Sequence, residues 1–220
     1  MTLLNGTARS TVRLAGAALR ALIALTVLCG VLYPLAVTGI AQAAFPHRAN
    51  GSEVRADGRT AGSALIGQTY TLARKDKAGN PLPDPKYFQP RPSAAGTNTV
   101  NTQYKILVSG GSNLAADSTV LSGQIKERRG RIAAFNGVSP AAVPPDAVTA
   151  SASGVDPDIS PAYAALQVNR VARANGLPRA EVARLVREHT DGRPLGFLGE
   201  PHVNVLELNI AVRHLSERGK

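Results

Sequence analysis

The feature that most constrains this chain is an uncharged apolar run near its N-terminus, Ala21 to Ala41, which reads ALIALTVLCGVLYPLAVTGIA. A helix rises about 1.5 Å per residue, so a run of this length reaches roughly 30 Å, the thickness of a bilayer's hydrocarbon core. We therefore predict a single transmembrane helix over residues 21–44, and we expect the remaining sequence to fold outside the hydrocarbon layer.

The charges on either side of the run predict its orientation. Arg9, Arg13 and Arg20 precede it, and the first acidic residue of the chain is Glu53. Because positive flanks stay in the cytoplasm, we expect residues 1–20 to be cytoplasmic. We then expect residues 45–62 to form a linker and residues 63–220 to form the extracytoplasmic domain of a single-pass protein of the cell membrane.

A cleaved signal peptide is the alternative interpretation of the same run. Ala41 to Ala43, AQA, fits an A-x-A cleavage site. The apolar run is longer than the usual apolar region of a signal peptide, about 7–15 residues, which favours a retained anchor. Both interpretations place most of the chain outside the cytoplasm.

Charge and composition leave several partner classes open. The 25 basic and 15 acidic residues give a net charge of +10, which suits a nucleic acid, an anionic membrane surface or a compartment tolerant of basic proteins. Aromatic residues make up only 4% of the chain, with no Trp, which disfavours the base-stacking platforms of single-strand binding proteins. Cys29 is the single cysteine, so the chain cannot form an intramolecular disulfide.

The sequence beyond residue 62 predicts a mixed α+β domain with substantial loops. Residues 63–72 are rich in β-formers and predict a strand, and TQYKILV, residues 102–108, predicts a second. The predicted helices begin after Asp117 or Ser118 and end before Gly137, begin after Ser160 and end before Gly176, and run from Pro178 to about Thr190. Residues 201–215 are ambiguous between strand and helix, and their length favours helix.

The most suggestive local motif is SGGSN, formed by Ser109, Gly110, Gly111, Ser112 and Asn113. Two glycines between serines could cradle a phosphate, but the lysine of the G-x-x-x-x-G-K-[ST] pattern is missing. ATP is cytoplasmic, and this segment is expected outside. We therefore expect a turn in which glycine supplies a positive φ, with nucleotide contact or partner contact as the functional alternatives.

The other motifs favour structural roles. RVARANGLPRAEVARLV, residues 170–186, is similar to a helix-turn-helix that binds DNA, but we expect a packed helical hairpin with its arginines facing water. Asp156 and Asp158 could form an acid/base pair, although shaping a turn is the favoured role. Asn204 and Asn209 could offer oxygens to a cation, but we expect them on a helix surface. We predict no catalytic residue, and the absence of G-x-S-x-G excludes the serine-hydrolase elbow in particular. We also predict no metal site, since the four histidines lack ligand spacing.

The transmembrane run itself has two different faces. On a helix turning 100° per residue, one side carries Thr26, Gly30, Tyr33, Pro34 and Val37, while Leu28, Leu32 and Leu35 lie opposite. Small and hydroxylated residues let helices approach closely in lipid. We predict that the first face docks partner helices, with a simple kink at Gly30 and Pro34 as the alternative.

Six segments, taken together and in order, strongly resemble the KdpC family, the C subunits of the bacterial Kdp potassium-transporting ATPase. They extend from the membrane run nearly to the C-terminus and read LTVLCGVLYPLAVTGIAQAAFPHRANGS, GSALIGQ, YFQPRPSA, SGGSNLA, VTASASGVDPDISPAYAALQVNRVAR and HTDGRPLGFLGEPHVNVLELNIA. In that family the membrane helix is retained, so the resemblance disfavours cleavage.

The resemblance implies an accessory, non-catalytic subunit of a high-affinity, ATP-driven potassium uptake complex. Its partners would be a channel-like potassium-conducting subunit, a P-type ATPase subunit and a small single-helix subunit. The family is described as needed for assembly and as a catalytic chaperone that raises the ATP affinity of the ATPase subunit. It implies no cofactor of the chain's own, with ATP and potassium handled by the complex, and no nucleic acid. The alternative is an anchored or secreted extracytoplasmic binding module with another ligand.

Overall fold

The structure is a computed structural model that describes residues 3–77, 79–95 and 109–219, with side chains from residue 10 onward. The strand predicted at residues 102–108 lies outside the described residues. The chain divides into two compact units, residues 1–52 and 53–220. The second unit therefore begins ten residues earlier than the predicted domain boundary at residue 63.

The N-terminal unit is helical. It comprises α1 (Leu3–Val27), a π-helical turn (Leu28–Leu32), α2 (Tyr33–Ala44) and the short α3 (Pro46–Ala49). Residues Ser10–Ala44 form one helix whose most apolar stretch has a mean hydropathy of 2.2, and the helix is long and apolar enough to cross a membrane. The chain is helical throughout residues 21–44, the segment predicted to span a membrane, and the helix extends toward the N-terminus as far as Leu3.

The π-helical turn follows from Pro34. Proline has no N–H and its ring crowds the carbonyl four residues earlier, which here belongs to Gly30. The helix widens just before the proline, and the Tyr33 N–H bonds to the Leu28 carbonyl five residues back. The helix therefore continues through Pro34 without breaking.

The C-terminal unit mixes small sheets with helices, as predicted. Its strands are β1 (Glu53–Ala56), β2 (Arg59–Ser63), β3 (Thr71–Lys75), β4 (Pro81–Pro83), β5 (Asp158–Ile159), β6 (Thr190–Asp191) and β7 (His202–Asn204). Its helices are α4 (Thr119–Asn136), α5 (Pro145–Val148), α6 (Pro161–Asn175), α7 (Arg179–Glu188) and α8 (Val205–Arg218). β1 pairs with β2, β3 pairs with β4, and β7 lies between β5 and β6, all antiparallel.

The strand predicted over residues 63–72 is wrong in its position. β2 ends at Ser63 and β3 begins at Thr71. Between them the Gly67 N–H donates to the Val155 carbonyl at 2.7 Å, and a Cβ on Gly67 would lie 2.5 Å from the Asp156 carbonyl oxygen. This contact with a distant loop replaces the sheet pairing that the β-forming residues suggested. The segment expected to be a linker, residues 45–62, holds α3, β1 and most of β2.

The predicted helix ends are confirmed where local capping determines them. Ser118 caps α4 by accepting from the Leu121 N–H, and Ser160 caps α6 by accepting from the Tyr163 N–H. Gly137 and Gly176 end the same helices with φ of 66° and 67°. The helix predicted from residue 201 begins only at Val205, because residues 202–204 pair as β7 and Asn204 caps α8.

The core of the C-terminal unit lies where α6, α7 and α8 pack beside β7. Val171, Val182, Val203 and Leu208 are fully buried there. Phe88, from the irregular segment that follows β4, is buried in the same cluster. The core therefore positions both the loop from residue 84 to 95 and the hairpin formed by α6 and α7.

The arginine-rich hairpin is part of this core, as the packed alternative to a DNA-binding motif predicts, but one arginine is not on its surface. Arg170 is buried, and its guanidinium stacks 4.4 Å from the centre of the Phe135 ring. Its Nε donates to Asn136, and its Nη1 donates to the carbonyls of Pro85 and Tyr87. Burial lowers the pKa of Arg170 to about 10. The expectation that all these arginines face water is therefore wrong for Arg170.

Candidate functional site

The SGGSN loop, residues 109–113, packs against the backbone of residues 151–154. The Ser109 hydroxyl and the Gly110 N–H both donate to the Ser153 carbonyl, at 2.8 Å and 2.7 Å. A Cβ on Gly111 would lie 2.8 Å from the Ala152 carbonyl oxygen, closer than side chains approach. The loop is thus held by close backbone contact.

Glycine is needed in this loop for a different reason from the one predicted. Neither Gly110 nor Gly111 has a positive φ, whereas Asn113 does, at 51°. Asparagine tolerates this region better than most residues. The expected glycine turn is therefore wrong in its geometry, because Gly111 is required by a close approach and Asn113 makes the left-handed bend.

Hydrogen bonds join the loop of residues 92–95 to the loop of residues 151–155. The Ser93 hydroxyl donates to the Gly154 carbonyl, the Ser151 N–H donates to the Pro92 carbonyl at 2.9 Å, and the Ser153 hydroxyl accepts from the Val155 N–H at 3.2 Å. Gly154 has φ of 71°. We call residues 92–95, 109–113 and 151–155 the serine–glycine junction.

The junction is poorly suited to hold a phosphate. A phosphate cradle needs free N–H groups pointing at the anion, and the Gly110 N–H and Ser109 hydroxyl are already bonded to Ser153. A cleft of about 340 Å³ at the junction is lined by residues from its other two loops and their neighbours, including Arg91, Ser93 and Asp156, and by no residue of the SGGSN loop. In that cleft the Arg91 Nη1 and the Asp156 Oδ2 form an ion pair at 3.0 Å. The arginine's charge is therefore balanced within the chain.

The two acids before α6 are held by structural contacts. Asp156 also accepts from the Asp158 N–H at 3.0 Å, which shapes the turn as predicted. Asp158 accepts from the Asn204 side chain at 3.2 Å, and its Oδ2 lies 3.8 Å from the His202 Nε2. Burial raises the pKa of Asp158. Across residues 3–77, 79–95 and 109–219, no group of three or more His, Cys, Asp or Glu side chains could hold a metal ion.

Side-chain amides from two helices hold the backbone around Phe88, a feature that the sequence did not indicate. The Asn209 amide accepts from the Phe88 N–H at 2.7 Å and donates to the Phe88 carbonyl at 3.0 Å. The Gln167 amide bonds Gln89 in the same two ways, at 2.7 Å and 3.1 Å. We call Gln167 and Asn209 the amide clamp. The expectation that Asn204 and Asn209 lie on a helix surface is wrong, since both are buried.

The predicted docking face of the membrane helix crosses the π-helical turn. A Cβ on Gly30 would lie 3.9 Å from the Thr26 Cγ2, so these two residues are neighbours on one face. The extra residue in the turn rotates everything after it by roughly a quarter of a turn relative to a regular helix. Tyr33, Pro34 and Val37 therefore do not continue the line of Thr26 and Gly30 as a uniform 100° rotation predicts.

A sequence profile of the family described as "KdpC: K+-transporting ATPase, c chain" matches residues 15–214. The chain belongs to the KdpC family. The match covers the apolar helix and nearly all of the C-terminal unit, so the resemblance drawn from the six sequence segments is confirmed.

Individual KdpC proteins are similar over nearly their whole length. A protein of Streptomyces avermitilis named "Potassium-transporting ATPase KdpC subunit" is 53% identical, over 96% of this chain and 98% of its own. A protein of the same name from Streptomyces coelicolor is 51% identical, over 98% of this chain and 99% of its own. A third, from Sorangium cellulosum, is 52% identical over 89% of this chain and 94% of its own.

Proposed function

We propose that this chain is the accessory, non-catalytic C subunit of an ATP-driven potassium uptake complex. The observation that carries the proposal is the family match, which includes both the apolar helix and the folded unit. The similar proteins that are named as subunits of a potassium-transporting ATPase have the same extent. This proposal is preferred to a binding module with another ligand.

The partners in this proposal are a channel-like potassium-conducting subunit, a P-type ATPase subunit and a small single-helix subunit. The chain supports their assembly through its membrane helix, in which every large apolar side chain from Leu22 to Ile40 is exposed within the chain itself. Helices that meet in lipid associate through close packing, and Thr26 and Gly30 provide a small, narrow surface for it. Membership of a complex thus gives this helix a packing partner as well as an anchoring role.

The proposed effect on ATP is indirect. The chain raises the ATP affinity of the ATPase subunit without holding the nucleotide, because the Ser109 hydroxyl and the Gly110 N–H of the SGGSN loop are already bonded to the Ser153 carbonyl. Such coupling needs only contacts that differ between two states of the pump subunit. The C-terminal unit is placed on the extracytoplasmic side, because positive flanks remain in the cytoplasm.

Purified complex with and without this chain tests the function. The three other subunits are expressed with and without it, and potassium-stimulated ATP hydrolysis is measured over a range of ATP concentrations. We expect potassium-stimulated hydrolysis to require the chain, or to show a higher KM for ATP without it. Assembly and kinetics that are unchanged without the chain would contradict the proposed function.

Side-specific labelling tests the orientation. Arg218→Cys is introduced together with Cys29→Ser, so that the only thiol lies at the exposed end of α8. We expect an impermeant maleimide to label this thiol in intact spheroplasts, while a matched Arg13→Cys variant is labelled only after lysis. The opposite pattern would place the C-terminal unit in the cytoplasm.

A further inference from the structure

The loop between β6 and β7 carries apolar side chains that the fold leaves uncovered. Leu195, Phe197 and Leu198 are 80%, 71% and 47% exposed, and they lie within four consecutive residues. We call these three residues the apolar tip. Exposed apolar groups that are clustered, rather than scattered, mark interaction sites.

The conformation of the loop holds the tip outward. Leu195 has φ of 54°, a region that a leucine rarely occupies, and Gly196 and Gly199 have φ of 80° and 69°. The Gly196 N–H donates to the Arg193 carbonyl at 2.9 Å, and the Leu198 N–H donates to the Pro194 carbonyl at 3.1 Å. Strained backbone of this kind persists where a function requires the shape.

An ion pair closes the loop beneath the tip. The Arg193 Nη2 lies 2.5 Å from the Glu200 Oε2, so the pair joins the loop residue just before the apolar tip to the loop residue just after it. A loop already fixed in one shape loses little conformational entropy when it binds, which favours affinity. The tip therefore has the features of a preorganised anchor.

The charges around the tip distinguish a protein partner from a lipid surface. Residues 191–201 contain one arginine and two acids, Asp191 and Glu200, although the whole chain carries +10. Segments that insert into anionic membranes carry an excess of Lys and Arg, so this local balance opposes membrane binding. Two leucines and a phenylalanine above an arginine and a glutamate that pair with each other instead suit an apolar protein pocket with an uncharged rim.

We propose that the apolar tip inserts into an apolar pocket on another subunit of the potassium-transporting complex. This inference rests on the proposed function and names a second docking element, separate from the membrane helix. Phe197 and Leu195 supply the buried anchors, and the Arg193–Glu200 pair holds the loop in its binding conformation.

Matched substitutions test the contact in the assembled complex. Leu195→Asn removes the apolar group but keeps a residue that tolerates positive φ, and Phe197→Ser removes the ring. Leu65→Ser is the control, since Leu65 is 63% exposed on a different loop. We expect each tip variant to lower retention of the chain in affinity-purified complex by about tenfold, as for central anchors of interfaces, and the control to change it less than about twofold.

The stability of the chain separates docking from folding. The two tip variants, purified alone in detergent, should unfold at the temperature of the wild type or slightly above it for Leu195→Asn, because that change relieves strain. Loss of retention with unchanged unfolding supports docking. Full retention of both tip variants would overturn the inference while leaving the proposed function intact, whereas failure of the wild-type chain to co-purify would overturn both.

A fluorescent label distinguishes the protein pocket from lipid. Leu198→Cys with Cys29→Ser is labelled with bimane, because Leu198 belongs to the tip but is not one of its two anchors. The labelled chain is studied in vesicles of phosphatidylethanolamine and phosphatidylglycerol, with and without the other subunits. We expect a blue shift only in the complex, with no quenching by spin-labelled lipid. A blue shift of the bimane emission with quenching by spin-labelled lipid in the chain alone would show that the tip inserts into the membrane. An unshifted emission spectrum in the complex would show that the tip is uncovered there. Either result would overturn the inference.

Discussion

Gln167 bonds the backbone of Gln89 as a neighbouring strand would. Its Oε1 accepts from the Gln89 N–H at 2.7 Å, and its Nε2 donates to the Gln89 carbonyl at 3.1 Å. Gln167 is fully buried, and its Oε1 also accepts from the Arg170 Nη2 at 2.7 Å. One side chain therefore satisfies both backbone polar groups of Gln89, which pairs with no strand among the described residues, and it gives the buried guanidinium one of its acceptors.

Replacing this glutamine should be costly. Gln167→Leu leaves the Gln89 N–H and carbonyl without their partner and removes an acceptor from Arg170, so we expect a loss of about 3 kcal/mol in the free energy of unfolding. Denaturant unfolding of the chain in detergent measures it. Gln124→Leu, at a half-buried position of α4, is the control and should change the free energy by less than about 1 kcal/mol. Equal effects of the two substitutions would contradict the clamp.

The two glycines of the SGGSN loop should respond differently to the same change. Gly111→Ala places a methyl group 2.8 Å from the Ala152 carbonyl oxygen, while Gly110→Ala meets no heavy atom within 4 Å. We expect the first to lower the free energy of unfolding by about 1–3 kcal/mol, and the second to be neutral or stabilising, because alanine restricts the unfolded chain. Thermal unfolding of both variants provides the comparison, and a more harmful Gly110→Ala would contradict the packing of the loop.

Nucleotide binding by the chain alone should be absent. The Gly110 N–H and the Ser109 hydroxyl both donate to the Ser153 carbonyl and are therefore not available to a phosphate. Titration of the detergent-solubilised chain with Mg-ATP should thus give no saturable heat. A saturable isotherm that disappears in the double variant Gly110→Val, Gly111→Val would show that the loop binds ATP. Heat that persists in the double variant would place any nucleotide contact elsewhere in the chain.

Tyr163 should produce a separate step in an alkaline titration. Burial raises the pKa of this phenol to about 12, from an ordinary value of about 10. Since the folded state holds the proton more tightly, its stabilising contribution is complete below pH 10 and is lost as the pH rises from about 10 to about 12. Tyrosinate absorbance of the wild type minus that of Tyr163→Phe should rise near pH 12 in the folded protein, and near pH 10 in denaturant. A difference step near pH 10 in both would show that the phenol is not buried.

The sequence predicted those parts of the fold that local interactions determine. Ser118, Ser160, Gly137 and Gly176 mark helix ends through contacts within a few residues, and all four are found where the sequence indicates. The apolar helix ending at Ala44 was likewise predictable, because its length and lack of charge suffice.

The remaining features depend on contacts between distant residues. The clamp residues Gln167 and Asn209 lie 78 and 121 residues from the segments they hold, and an amide in a helix is more often exposed. Gly67 and Gly111 must be glycine because the carbonyl oxygens of Asp156 and Ala152 lie too close to leave room for a side chain. No local sequence pattern reveals this contact. Leu195 and Phe197 did carry a signal, because apolar residues between glycines and prolines are unusual in a loop, but the sequence alone does not show that they are uncovered.

The membrane helix provides the most direct test of assembly. Gly30→Leu is tolerated within the helix, since a Cβ there meets only the Thr26 methyl at 3.9 Å, and Gly39→Leu is a matched control with nothing within 4 Å. If Thr26 and Gly30 form the docking surface, Gly30→Leu should weaken retention of the chain in purified complex by about 1–2 kcal/mol, as for model interhelical contacts. Leu28→Ala and Leu32→Ala should have little effect, because these leucines are expected to meet lipid, and Gly39→Leu should have little effect because Gly39 lies nine residues beyond Gly30 and outside the proposed surface. Co-purification at equal expression measures all four variants. If the leucine substitutions or Gly39→Leu release the chain and Gly30→Leu does not, the docking surface lies on another face of the helix.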